Sequence, residues 1–299
     1  MNGKKFPLLL SLFVFCVSVT VFLSTLFVWA HEIQTPLPLG DGKLSNIPKS
    51  GYLMSCTNNF RQGPGASKTG SWVSRESWFP DRKPIVEGEI QWPNSQITIA
   101  VQGHRRIVLS NNLPQHATGL FPIQPGTKAF EFDRNPNHIG EQQILLSLPA
   151  FPTFGNKPSC VPMGMIGFAV SGVAIFSALD IGGRDAPAHE IQDLCNGHPE
   201  MTSQYHYHNW SPCLVSATAN EPVGWMIDGF PILGPVDEKG YIIKNDDLDE
   251  CHGRMGDITI AGNLVRSYHY RFTFEYPYTI GCFKGTPERP PAPHRRPSG

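Results

Sequence analysis

Net charge is almost missing from this sequence. Its 299 residues sum to a formal −1, so no strong field of either sign exists to gather nucleic acid or an anionic surface. No Cys-x-x-C pair occurs, which argues against a cysteine-rich zinc site and a thioredoxin-like redox centre. No nucleophile elbow, phosphate loop or helical His-Glu-x-x-His is present, and no nucleotide cofactor is expected. With 29 glycines and 28 prolines, long uninterrupted helices are excluded in favour of short strands and tight turns.

What is present begins with a targeting segment. Lys4 and Lys5 precede an apolar run from Phe6 to Ala30, and Val28-Trp29-Ala30 resembles a small-x-small cleavage site. Residues 1–30 read as a signal peptide, with an uncleaved membrane anchor as the alternative because the run is long enough to span a bilayer. Either reading places the rest outside the cytoplasm, secreted, periplasmic or at the cell surface. A cut after Ala30 would make His31 an amino-terminal copper chelator, a minor reading. Six cysteines follow Cys16, and an even count in an exported chain points to disulfides.

Residues 31–50 read as a linker, 51–119 as an N-terminal β-rich part, and 286–299 as a disordered Pro/Arg-rich tail. Between them, 164–214 and 223–283 read as an internal repeat. Ile166-Gly167-Phe168 through Ile175-Phe176 parallels Val223-Gly224-Trp225 through Ile232-Leu233. Each half carries apolar flanks about a two-residue turn, Ser171-Gly172 or Asp228-Gly229, the mark of a hairpin with a primed turn. Asp193-Leu194-Cys195 then matches Asp249-Glu250-Cys251, and Tyr205-His206-Tyr207-His208 matches Tyr268-His269-Tyr270-Arg271. The expected fold is mainly β, with few short helices. Duplicated hairpin-plus-strand units would pack about a pseudo-two-fold axis, stapled by disulfides, with the two Tyr-His strands close together at the centre. Matched positions give Cys195–Cys213 and Cys251–Cys282, leaving Cys56–Cys160. The competing pattern is crossed, Cys195 with Cys251 and Cys213 with Cys282.

In a strand, His206 and His208 share one face while Tyr205 and Tyr207 share the other. Imidazoles at i and i+2 are a ready pair of ligands for zinc or copper. The repeat adds His269, and His198 closes the Cys-x-Gly-His loop as a fourth candidate, ahead of His252. Arg271 stands where a further histidine would complete the echo, and its guanidinium suits anchoring of a carboxylate or anion. Arg184, Asp185, His189 and Glu190 read as a salt-bridged surface loop.

Ala178-Leu179-Asp180, Gly183-Arg184-Asp185-Ala186, Cys195-Asn196-Gly197-His198, Tyr205-His206-Tyr207-His208, Asp228-Gly229-Phe230-Pro231-Ile232 and Leu248-Asp249-Glu250-Cys251 together resemble the YHYH-domain family, over about 120–285. The resemblance implies an exported domain and carries no reaction or ligand with it. Function is therefore read from the residues: a domain binding copper or zinc through histidines, against a disulfide-stabilised binding or structural module without metal, or a metal-dependent extracytoplasmic enzyme.

Overall fold

The computed structural model describes residues 35–60, 66, 68–216 and 218–289. The targeting segment, His31 and the end of the chain from residue 290 lie outside the described residues. Among the described residues, no helix is long and apolar enough to cross a membrane.

The fold is mainly β. Four two-residue strands come first: β1 (Leu37–Pro38) pairs with β4 (Ser77–Trp78), and β2 (Leu44–Ser45) with β3 (Leu53–Met54). Of the stretch expected to be a linker, the described part from residue 35 to 50 is therefore packed in place. Leu37 and Leu39 alternate inward and join the core, and the Gly40 amide donates to Asp185 at 2.8 Å. Next, β5 (Ile97–Gln102), β6 (Arg105–Ser110) and β7 (Ile144–Pro149) form an antiparallel sheet of three. Along β7, buried Ile144, Leu146 and Leu148 alternate with exposed Leu145 and Ser147, the period of a strand with one face on the core. This sheet crosses the boundary read at 119/120. At the far end, Glu288 is bonded to the Ile227 carbonyl and to Arg105.

The main sheet has eight strands: β8 (Met165–Ala169), β9 (Ala174–Phe176), β10 (Gly197–Pro199), β11 (Tyr205–Tyr207), β12 (Gly224–Met226), β13 (Pro231–Leu233), β14 (Gly253–Ile260) and β15 (Asn263–Arg271). Their order is β10-β11-β9-β8-β12-β13-β15-β14. All five residues of β8 are buried, the near-continuous apolar run of a strand covered on both faces.

Each end of this order repeats the same pairings. A hairpin (β8-β9 or β12-β13) is followed by a parallel strand (β11 or β15) and then by an antiparallel edge strand (β10 or β14). At the middle, β8 and β12 run antiparallel with Phe168 opposite Trp225. The loops repeat as well. Asp193 accepts from the Cys195 and Gly197 amides and the Tyr205 hydroxyl; Asp249 accepts from the Cys251 and Gly253 amides and the Tyr268 hydroxyl.

Two expectations are corrected here. The hairpins do not use two-residue primed turns. The Gly172 amide bonds to Ala169 O and the Gly229 amide to Met226 O, and only the glycines have positive φ, 88° and 89°. These are three-residue loops ending in a left-handed glycine that L side chains avoid. The Tyr-His strands are also not neighbours. Because β8 and β12 pair with each other, β11 and β15 are pushed outward, with four strands between them.

Three disulfides tie the chain: Cys56–Cys160, Cys195–Cys213 and Cys251–Cys282. The last two each link the loop before an edge strand to the segment after its Tyr-His strand.

Candidate metal centre

Strand alternation sets the faces of β11. Tyr205 and Tyr207 point one way: the Tyr205 hydroxyl donates to Asp193 at 2.9–3.0 Å, and the Tyr207 hydroxyl meets His116 Nε2 and Ser171. His206 and, just past the strand, His208 point the other way. The β10–β11 register puts His198 directly opposite His206. Cross-strand partners share a face, so three imidazoles are gathered by the pleat and one edge pairing. Helix α1 (Ala186–His189) ends beside them, and the residue after it, Glu190, completes the group.

The atoms that converge are ring nitrogens and one carboxylate oxygen. His206 Nε2 lies 3.0 Å from His208 Nε2. Glu190 Oε2 lies 3.3 Å from both His198 Nε2 and His208 Nε2. One ligand atom from each of the three histidines lies within 4.8 Å of the others. Donors bonded at ~2.0–2.1 Å to one tetrahedral ion sit about 3.3–3.4 Å apart, close to the 3.0 and 3.3 Å contacts. All three rings are buried, and Phe176 stacks on His206 with centroids 3.9 Å apart.

Second contacts orient the rings. His206 Nδ1 is 3.0 Å from Gln204 O, and His208 Nδ1 is 2.5 Å from Ser177 O. A carbonyl only accepts, so both Nδ1 atoms carry the proton and both neutral Nε2 atoms present a lone pair. Those lone pairs face each other. His198 Nε2 and Glu190 Oε2, also buried, have no aligned hydrogen bond despite their 3.3 Å approach.

Charge in the pocket follows burial and neighbours. Burial, with the nearby His198 and His208, holds His206 well below the usual imidazole range. Burial likewise pushes His208 down to about 4. Burial works to raise the Glu190 carboxyl, but the adjoining His198 and His208 rings and Lys83 outweigh it and hold it at about 2. Burial lowers His198, yet Glu190 and Asp133 together raise it above the usual imidazole range. Lys83, brought down to about 8 by burial, donates to the carbonyls of Pro187 and Glu190 and to Gln192 Oε1, fixing the α1 loop.

His206, His208 and His198 are thus brought together, whereas His269 is not. It lies on β15, five strand spacings or roughly 24 Å across the sheet from β11. Among the described residues, Arg271 pairs with no carboxylate: its Nη1 donates to the Ala219, Gly234 and Val236 carbonyls. His252 is bonded to Thr273, away from the cluster. The carboxylates of Asp193 and Asp249 serve tyrosines rather than histidines. The 184–190 loop is largely interior. Asp185 accepts from the Tyr278 hydroxyl and the Gly40 amide, His189 meets Asp41, and Glu190 enters the centre. The one signal for Glu190 is its apolar setting, Ala186-Pro187-Ala188 before it and Ile191 after. A second grouping, His116 with Cys195 and Cys213, offers no thiolate because the two sulfurs are bonded to each other.

Comparison with protein families agrees with the motif. Residues 146–242 match the family model described as YHYH protein. This stretch is a YHYH domain. It contains Glu190, His198, His206 and His208, while His269 and Arg271 fall after it. No curated protein and no solved structure matches the chain.

Proposed function

We propose that the YHYH domain of this exported protein binds one divalent transition-metal ion, zinc or copper, through His198, His206, His208 and Glu190. The observation that carries this reading is the facing pair of Nε2 atoms. Both rings spend their one proton on a backbone carbonyl, so an N–H···N bond between them needs a second proton on one ring, and burial opposes that charge. A metal cation between the lone pairs removes the conflict and also satisfies His198 Nε2 and Glu190 Oε2. Imidazole and carboxylate donors without sulfur suit zinc, copper(II), nickel or iron rather than copper(I). The Nδ1–carbonyl contacts are the outer supports that metal-bound histidines commonly have. Four protein donors and a stacked Phe176 describe a closed site, which favours a structural or storage role over hydrolysis at an open coordination position. The three disulfides favour an oxidising, extracytoplasmic setting. We also infer that the eight-stranded sheet is two four-strand copies about a pseudo-dyad between Phe168 and Trp225, of which only the first holds the ion.

The test is competition against a chromogenic chelator. Wild-type protein and His269→Ala should each take up one ion per chain. Glu190→Gln should weaken uptake about 10–100-fold, and His206→Ala/His208→Ala should abolish it. Stoichiometric uptake by the double variant contradicts the assignment.

A further inference from the structure

The other end of the sheet repeats the register with different chemistry. As His198 faces His206 across β10 and β11, Arg254 faces His269 across β14 and β15. Arg271, two residues on from His269, shares their face as His208 does with His206. The backbone contact is kept too: His208 Nδ1 meets Ser177 O, and Arg271 Nη1 donates to Gly234 O, the matching carbonyl. Two imidazoles of the first cluster are thus replaced by two guanidiniums around a third imidazole.

Among the described residues, no carboxylate is paired with this cluster. Arg271 and His269 are each 2% exposed, and Arg271 Nε and His269 Nε2 have no hydrogen-bond partner. Among the described residues, neither Arg271 nor Arg254 forms an ion pair, and the Arg254 side chain makes no hydrogen bond; it is half-buried and gives the cluster its opening to solvent. Asp237 and Glu238 are the carboxylates whose charge reaches Arg271. Asp237 is already committed to the Lys239 and Tyr241 amides, and Glu238 is exposed. A buried guanidinium beside a second one, with only carbonyl dipoles to offset it, is costly unless an anion joins them. Guanidinium forks match the oxygens of a tetrahedral oxyanion.

We propose that Arg254, His269 and Arg271 form a binding site for a tetrahedral oxyanion of the phosphate class that keeps one hydroxyl, separate from the metal centre. The free Nε of Arg271 and the Arg254 fork donate to the anion, and His269 Nε2, its Nδ1 proton held by the Ser267 carbonyl, accepts from the anion's hydroxyl.

The probe is inorganic phosphate, titrated calorimetrically at constant ionic strength into full-length protein with a metal chelator present. One saturable site per chain is expected. It should persist in His206→Ala/His208→Ala, which separates it from phosphate held on a metal. Arg254→Gln removes no internal contact, so it should fold, and it should weaken binding about tenfold or more. Arg271→Lys should also weaken it, since an ammonium lacks the fork. Absence of saturable binding in wild-type protein overturns the proposal, as does binding unchanged in Arg254→Gln. Binding that appears only in Glu238→Gln would identify the chain's own carboxylate as the occupant, and equally overturns it.

Discussion

Stripping metal from the protein with a strong chelator should lower its melting temperature by about 10 °C. The reasoning is mass action: an ion present at a thousand times its dissociation constant stabilises the folded state by ~4 kcal/mol. For a folded unit of this size, each kcal/mol moves the midpoint by about 2–4 °C. The ion would add a tie between β10, β11 and Glu190 after α1, beside the strand pairing, the Asp193–Tyr205 bonds and the Cys195–Cys213 disulfide. Re-addition of zinc or copper should restore the midpoint. His206→Ala/His208→Ala should melt at one temperature with or without chelator, because the protein no longer carries an ion to lose. A wild-type midpoint that ignores both chelation and metal would leave the facing lone pairs without the cation assigned to them.

The second large effect belongs to Cys56–Cys160. Its partners are 104 residues apart in sequence, against 18 for Cys195–Cys213 and 31 for Cys251–Cys282. In the chain-entropy model, a loop of that length constrains the unfolded chain by about 4–5 kcal/mol, whereas the shortest contributes about 3. The long bond also fixes a parallel contact: the Cys56 amide donates to Val161 O, and Val161 N to Met54 O. Cys56→Ala/Cys160→Ala should therefore lose more stability than Cys195→Ala/Cys213→Ala when urea midpoints are compared in chelator. The comparison excludes metal, since the second pair lies beside the histidine strand. Equal losses would show that strain or local packing outweighs loop length. Peptide mapping without reduction should return these three links, and a Cys195–Cys251 peptide would contradict them.

Much of this was legible in the sequence because it depends on short-range periodicity. Glycine and proline frequency excluded long helices, and the period-two alternation of Tyr205-His206-Tyr207-His208 put two imidazoles on one side. His198 was legible through its loop, because Asp193-x-Cys-x-Gly-His returns the chain to pair with β11. Matching segments did not say where they lie in the sheet. His269 corresponds to His206 in position along its unit, but correspondence is not adjacency. The central pairing of β8 with β12 sends the two strands to opposite sides. Glu190 was hard to read for another reason, its apolar neighbours being the one signal. A lone carboxylate in a charged loop looks like surface, and only the tertiary path of 184–190, held by Lys83 and by Asp185 under Tyr278, turns it inward. The hairpin turns were misjudged by one residue, since Asp-Gly serves a primed turn and a left-handed closing glycine equally well by composition.

The most direct measurement is anomalous diffraction from crystals of the full-length protein grown without chelator, collected above and below the zinc and copper edges. The account predicts one strong peak about 2.0–2.1 Å from His198 Nε2, His206 Nε2, His208 Nε2 and Glu190 Oε2. No peak should appear between His269 and Arg271. A map with no anomalous density among the three histidines, in crystals of protein supplied with both metals, would contradict the metal centre.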